Sequence, residues 1–371
     1  MSKEHPHQTL GEGMLELREV TKRVGKVDHI KSTTLTLKPG YFNVLLGATG
    51  SGKTSLIKLM AGLDPVHRGK IFLGGKDVTL ESTQKRNVSL VHQFFVNYPH
   101  MNVFENIASP LRVARKTESE IKEKVEEAAD LLQLGPMLSR FPGELSGGQQ
   151  QRTALARAIA KESRVVFLDE PLANLDYKLR EELREQLPGL FKDRGCVVVY
   201  ATSEPEEALM LGGKTALIDD GRVTQFGTTS EIYRNPQNFA AAKVFSNPPI
   251  NAVRITKAGE NAELDGEVTW KLNGPSLDLP DGHYTMAIHP HQISPFRQRE
   301  SDAELRGQVL VTELTGSESS AHFQFAGNIW VSLASGIHPY SVGEPHNFYL
   351  NPANCYFFTP DGNRAVTSGT D

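Results

Sequence analysis

Apolar and polar residues alternate with period two near the start of the chain. Leu15-Glu16-Leu17-Arg18-Glu19-Val20 and Thr34-Leu35-Thr36-Leu37 each place their aliphatic side chains on one face. Both segments are predicted as half-buried strands, with Thr21-Lys22-Arg23-Val24-Gly25-Lys26 and Lys38-Pro39-Gly40 as turns. The pattern then changes to short, nearly unbroken apolar runs: Phe42 to Leu46, Gly69 to Leu73, Asn87 to Gln93, Arg164 to Leu168 and Cys196 to Tyr200. Phe42 to Leu46 reads as a buried strand and the other runs as further strands. Between them, residues 94–160 form a mostly helical insertion, because apolar positions recur three and four apart from Val103 to Val113 and from Glu118 to Leu132. Its many charges read as a solvated helix face. A further helix runs from Ser146 to Ala160, and a charged one ends at Leu187.

The last third has a different rhythm. After a strand Thr215 to Ile218, a hairpin around Asp219 to Arg222 and a short helix from Thr228, Asn238 to Phe245 reads as a linking helix and Asn247 to Asn251 as a break. Glycine and proline turns then separate the strands Tyr284–Ile288, Gly307–Val311, Ala321–Phe325 and Ile329–Leu333. That spacing suggests a small barrel of the oligonucleotide/oligosaccharide-binding (OB) type. Residues 1–13 read as a frayed tail.

Composition narrows the choices. At 371 residues the chain can build two or three cored domains without a metal or disulfide staple. A net charge of -4 leaves no global basic field for nucleic acid. Cys196 and Cys355 are the only cysteines, lie in no partner motif and suit a reducing compartment as packing residues. No stretch approaches the eighteen or so apolar residues of a membrane span, so a cytoplasmic location is expected.

The chemistry concentrates around Gly47-Ala48-Thr49-Gly50-Ser51-Gly52-Lys53-Thr54-Ser55, between a buried strand and an apolar helix. Such a loop is a P-loop: its backbone N–H groups close around phosphate oxygens at the positive end of a helix. Lys53 is expected to reach the β- and γ-phosphates and the Thr54 hydroxyl to sit on Mg²⁺. Gln93, at the end of its strand, can bring an amide oxygen near the metal and the attacking water. Leu145-Ser146-Gly147-Gly148-Gln149 opens a second helix whose serine cap and glycines admit an anion. Asp169 and Glu170 end an apolar strand; Asp169 is expected to hold Mg²⁺ through water and Glu170 to polarise the water that attacks the γ-phosphate. His289 and His291 flank Pro290, but no third metal ligand is evident.

Taken together, the P-loop, Gln93, LSGGQ at 145–149, Asp169-Glu170 and Ala173-Asn174-Leu175-Asp176 resemble the ATP-binding cassette subunits of importers. Phe95 to Met101 is similar to the segment that follows the glutamine in carbohydrate importers, where the insertion meets membrane subunits. The resemblance implies an α/β P-loop cassette with an antiparallel β subdomain over 1–235, and an OB-like regulatory and dimerisation domain over 236–371. It implies ATP and Mg²⁺ as cofactors, with Thr54, Gln93 and Asp169 around the metal. It also implies a dimer in which Ser146, Gly147, Gly148 and Gln149 cover the nucleotide of the other protomer. Further partners would be two transmembrane permease subunits and, indirectly, a solute-binding protein, placing the chain on the cytoplasmic face of the inner membrane. No nucleic acid is implied.

Two positions depart from the family pattern. Ser203 stands where the family carries a histidine against the γ-phosphate, and Val24 where an aromatic ring stacks on adenine. The expected consequence is weak hydrolysis at this chain's own P-loop and pairing with a different, competent cassette, a pattern similar to glycerol or polyol uptake subunits. An identical pair, a regulatory ATP-binding subunit and a soluble cassette acting on ribosomes or DNA repair complexes are the alternatives.

Overall fold

Strand pairing at the amino end extends further than the alternation predicts. In the computed structural model, which describes residues 13–173, 175–192, 194–264 and 268–365, β1 (Leu15–Val24) and β2 (Val27–Leu37) pair antiparallel up to Val24↔Val27. The predicted turn over 21–26 is thus mostly strand, with Gly25-Lys26 between the paired ends. Register shifts between Leu17 and Lys22, with Glu19 at φ 52°, break the period of two and hide the continuation.

β3 (Phe42–Leu46) leads into α1 (Lys53–Ala61), after which β4 (Arg68–Leu73) and β5 (Lys76–Asp77) return to complete a sheet ordered β2-β1-β4-β5. A short α2 (Thr83–Arg86) precedes β6 (Val88–Val91). The helical insertion follows as α3 (Val103–Val113), α4 (Glu118–Leu131) and α5 (Gly147–Ala160), packed on one another. Then come β7 (Val165–Asp169), α6 (Tyr177–Lys192), β8 (Val197–Thr202), α7 (Pro205–Leu211), β9 (Lys214–Asp219) and β10 (Arg222–Thr228).

The second sheet runs β10-β9-β3-β8-β7-β6, parallel except for β10. Every residue of β3, β7 and β8 is buried, as expected for strands covered on both faces. Two boundaries differ from expectation. β6 stops at Val91, leaving Gln93 in the loop beyond the sheet edge. α6 passes Pro188 to reach Lys192, because Leu187 and Phe191 continue its buried face across the proline.

The chain divides between Ser230 and Glu231 into two compact units, with α8 (Thr229–Arg234) crossing the division. In the second unit α9 (Phe239–Val244) starts on Asn238, whose side chain accepts from the Ala241 N–H. β11 (Asn251–Ala258), β12 (Asn261–Leu264), β13 (Val268–Lys271) and β14 (Gly282–Ile288) follow, then β15 (Ile293–Ser294) and β16 (Ala303–Leu314). β17 (Glu318–Phe325), β18 (Asn328–Ser335), β19 (Pro345–Leu350) and β20 (Tyr356–Phe358) complete the unit. They form two antiparallel sheets, β13-β12-β11-β14-β20 and β15-β19-β16-β17-β18. A single core containing Trp330, Phe323 and Phe348 fills the space between them, giving the nearly closed, OB-like all-β barrel that the strand spacing predicts.

Asn251, predicted as part of the break, instead opens β11, and its buried amide exchanges hydrogen bonds with the Val331 backbone of the other sheet. Cys196 and Cys355 are both buried and free, and burial pushes the Cys355 thiol up to about 12. No helix among the described residues is long and apolar enough to cross a membrane.

Candidate functional site

Register brings the chemistry together. Leu46 pairs with Thr202 and Asp169 with Ala201, so the residues that follow these strands, Gly47, Ser203 and Glu170, emerge along one carboxyl edge of the parallel sheet. Only glycine fits at 47, since a Cβ there would lie 2.2 Å from the Ile218 carbonyl oxygen. Gly50 and Gly52 take φ 84° and 112°, which L side chains rarely adopt. Gly52 leads into α1 without a side-chain cap, leaving first-turn N–H groups available to an anion. The Ser51 hydroxyl is buried there with no hydrogen-bond partner, a second sign that the cradle is built for a polar ligand.

Five side chains converge on this cradle. Lys53 Nζ donates to the carbonyls of Gly47 at 2.8 Å and Ala48 at 3.1 Å, and lies 3.6 Å from Glu170 Oε1. Burial pushes the Lys53 ammonium down, with Glu170 opposing the shift. Thr54 Oγ1 donates to Asp169 Oδ1 at 3.0 Å, while Asp169 Oδ2 is buried without a partner. Burial pushes the Asp169 carboxyl up, and the Thr54 hydrogen bond opposes it. Gln93 Nε2 donates to Glu170 Oε2 at 3.0 Å, although the two residues follow different strands. Glu170 sits at φ 48°, strained for a residue with a Cβ, and its N–H donates to the Ala201 carbonyl. An orphaned carboxylate oxygen, a hydroxyl and an amide oxygen form an all-oxygen donor set that fits Mg²⁺.

Other predicted side chains stand apart from this cluster. Those of Ala48 and Thr49, with Gly50, are exposed at the loop tip, and Ser55 lies in the first turn of α1. Ser203 is exposed, while the next residue, Glu204, is held by Arg184 at 2.9 Å. Val24 ends β1 with half its surface exposed. Ser146 caps α5, with Gln149 completing a reciprocal capping box. Ser146 and Gly147 are exposed, Gly148 and Gln149 half-buried. Among the described residues no hydrogen bond links 146–149 to 47–54. Asn174 and the tail residues 1–12 lie outside the described residues. His289 and His291 stack with ring centroids 5.4 Å apart, and no group of three or more metal-binding side chains occurs among the described residues.

Two connections were missed from sequence. Arg180 Nη2 donates to the carbonyls of Ala173 and Leu175, while its Nη1 lies 3.6 Å from Glu204, linking the segment after Glu170 to the segment after Ser203. Its position four residues after Asp176, one helical turn on, is the signal that could have found it. Gln151 Nε2 donates to the Pro171 carbonyl and ties α5 to the same segment.

The family model described as ABC transporter matches residues 30–173. The sn-glycerol-3-phosphate import ATP-binding protein UgpC of Yersinia pestis is 34% identical over 94% of this chain and 97% of that one. The maltose/maltodextrin import ATP-binding protein MalK of Aliivibrio fischeri is 34% identical over 93% and 95%. Among solved structures, the dimeric post-hydrolysis state of the ATP-binding cassette MJ0796 bound to ADP and Pi aligns with TM-score 0.54 and 26% identity, covering 58% of this chain and 98% of that one. Similarity that spans nearly the whole of both import relatives places the chain in the ABC transporter family, as an ATP-binding import subunit and an ATPase.

Proposed function

We propose that this subunit clamps Mg·ATP between its own P-loop and the LSGGQ turn of a second cassette, and that closure and reopening of this pair drive uptake of a small polar solute. The observation that carries the reading is the convergence of Lys53, Thr54, Asp169, Glu170 and Gln93 on one sheet edge. The exposed Ser146 and Gly147, unconnected to the chain's own cradle, support a role in covering a neighbour's nucleotide. The dimeric cassette among the structural neighbours supports the same arrangement. Relatives named for sn-glycerol-3-phosphate and maltodextrin import favour a sugar, polyol or phosphorylated polyol as solute.

When bound, Mg²⁺ would supply charge neutralisation at the phosphate oxygens. Thr54, Asp169 and Gln93 would hold it, and Lys53 would leave its own loop carbonyls to reach the phosphates. Glu170, positioned by Gln93 and Lys53, accepts a proton from the attacking water. Release of the γ-phosphate then loosens the clamp.

Ser203 and Val24 favour an unequal pair, in which the partner cassette performs most of the turnover and this chain lends its LSGGQ turn. Two permease subunits and, through them, a solute-binding protein complete the assembly, with this chain peripheral on the cytoplasmic face. The test reconstitutes the chain with its permeases, alone and with a second cassette, and measures ATP turnover and solute uptake. Uptake that needs both cassettes supports the unequal pair. Robust turnover by this chain alone, at the rate of a histidine-bearing pair, overturns it.

A further inference from the structure

At the amino-terminal ends of β7 and β8, opposite the P-loop edge, a cavity of about 520 Å³ opens beside Arg164 and Cys196. Its cations come from four separate places: Lys124 from α4, Lys161 from the end of α5, Arg164 from the start of β7 and Arg194 from the end of α6. Glu162 is the one carboxylate among its described lining residues, and it is engaged by Lys124. Among the described residues, Lys161 Nζ is satisfied only by the Val88 carbonyl, at 2.8 Å. Arg194 rests on the carbonyls of Leu190 and Ile159. The Arg164 guanidinium has neither hydrogen bond nor ion pair among the described residues.

Carbonyl oxygens satisfy donors but do not neutralise them. Cations gathered in a concave, partly desolvated site repel one another and raise the local potential for an anion. Burial lowers the Lys161 pKa with no carboxylate to oppose it, which marks an ammonium lacking its counter-charge. Val166, Phe191 and Cys196 supply a less polar wall to the same cavity. The volume falls within the range of small-ligand sites.

We infer that this cavity binds a small organic phosphomonoester, its phosphate held by Arg164, Arg194 and Lys161 and its organic part against Phe191 and Val166. Guanidinium forks match the paired oxygens of a phosphate, and several positive groups favour a dianion over a monoanion. The site lies at the far edge of the sheet from the reacting groups, so its ligand is an effector rather than a substrate. Lys161 also lines the groove between α3 and α5 that holds Tyr98, Met101 and Val113. An occupied site therefore fixes one wall of that groove, tying the helical insertion to the sheet.

The test uses the full chain with its P-loop saturated by a non-hydrolysable ATP analogue, so that added phosphate cannot enter the cradle. Phenyl phosphate is titrated calorimetrically at low salt, with benzoate as a monoanionic comparison. Saturable binding at one site per chain is expected, at least tenfold tighter for phenyl phosphate than for benzoate. Arg164→Gln, which removes packing against Gly74 but no hydrogen bond or ion pair among the described residues, is expected to weaken phenyl phosphate at least tenfold with unchanged ATP-analogue affinity and little change in melting temperature. Lys124→Gln, which leaves Glu162 unpaired at the rim, is expected to weaken it as well. Absence of saturable binding, or binding unchanged in both variants, overturns the inference.

Discussion

Gln93 and Glu170 meet across 3.0 Å although 77 positions separate them in sequence. The contact fixes the orientation of the carboxylate at the sheet edge and leaves its second oxygen toward Lys53. Glu170→Gln keeps the shape and both neighbours but removes the basic oxygen. ATP turnover should fall by about 10²–10⁴-fold with analogue binding retained, measured by phosphate release and equilibrium binding. Gln93→Ala should lower kcat less, and an unaltered kcat in that variant would deny the glutamine any positioning role.

Asp169 presents one oxygen to Thr54 and keeps the other buried without a partner. Such an atom is expensive unless a cation completes it. Asp169→Asn should therefore weaken Mg²⁺-dependent ATP binding at least tenfold while leaving Mg²⁺-free binding nearly unchanged. Thr54→Ala should act in the same direction. The comparison is made by titrating a fluorescent ATP analogue with and without Mg²⁺, and equal losses under both conditions would count against a metal-holding role.

Ser203 stands exposed at the same edge, and its short side chain offers no imidazole to a phosphate. Ser203→His should raise steady-state ATP turnover severalfold in the purified chain, with little change in analogue affinity. A rate that stays flat while Glu170→Gln abolishes turnover would show that position 203 does not limit hydrolysis.

Much of this site was legible because its residues sit in continuous local patterns. The apolar run of β3 followed by glycines located the cradle, and the period of α5 located Ser146 as its cap. What stayed hidden depends on pairing distant segments. Neither residue's neighbourhood announces the Gln93–Glu170 contact, which arises only once β6 and β7 lie side by side. The full length of β1 was concealed because its irregular register at Glu19 shifts the alternation that defines a strand. The cavity beside Arg164 is drawn from four elements, so no single stretch of sequence gathers its cations.

His289 gives the second unit a testable acid sensitivity. Its ring is buried, stacked between Tyr233 and His291, edge-on to Tyr356 and hydrogen-bonded through Nδ1 to Ser246. Burial, with a smaller contribution from His291, pushes its pKa from 6.5 down to about 4. The native state therefore resists a proton that the unfolded chain accepts below about pH 6.5. Stability is flat above that pH, declines as pH falls through the window to about 4, and levels off below it. The total loss from this residue is about 3 kcal/mol. Both tryptophans, Trp270 and Trp330, belong to the second unit, so their fluorescence during urea unfolding reports that unit. His289→Phe keeps the stacking and removes the titrating group. It should flatten the decline between pH 6.5 and 4, leaving the contribution of His291, whose pKa burial also lowers. An unchanged slope in the variant would assign the acid sensitivity to other groups.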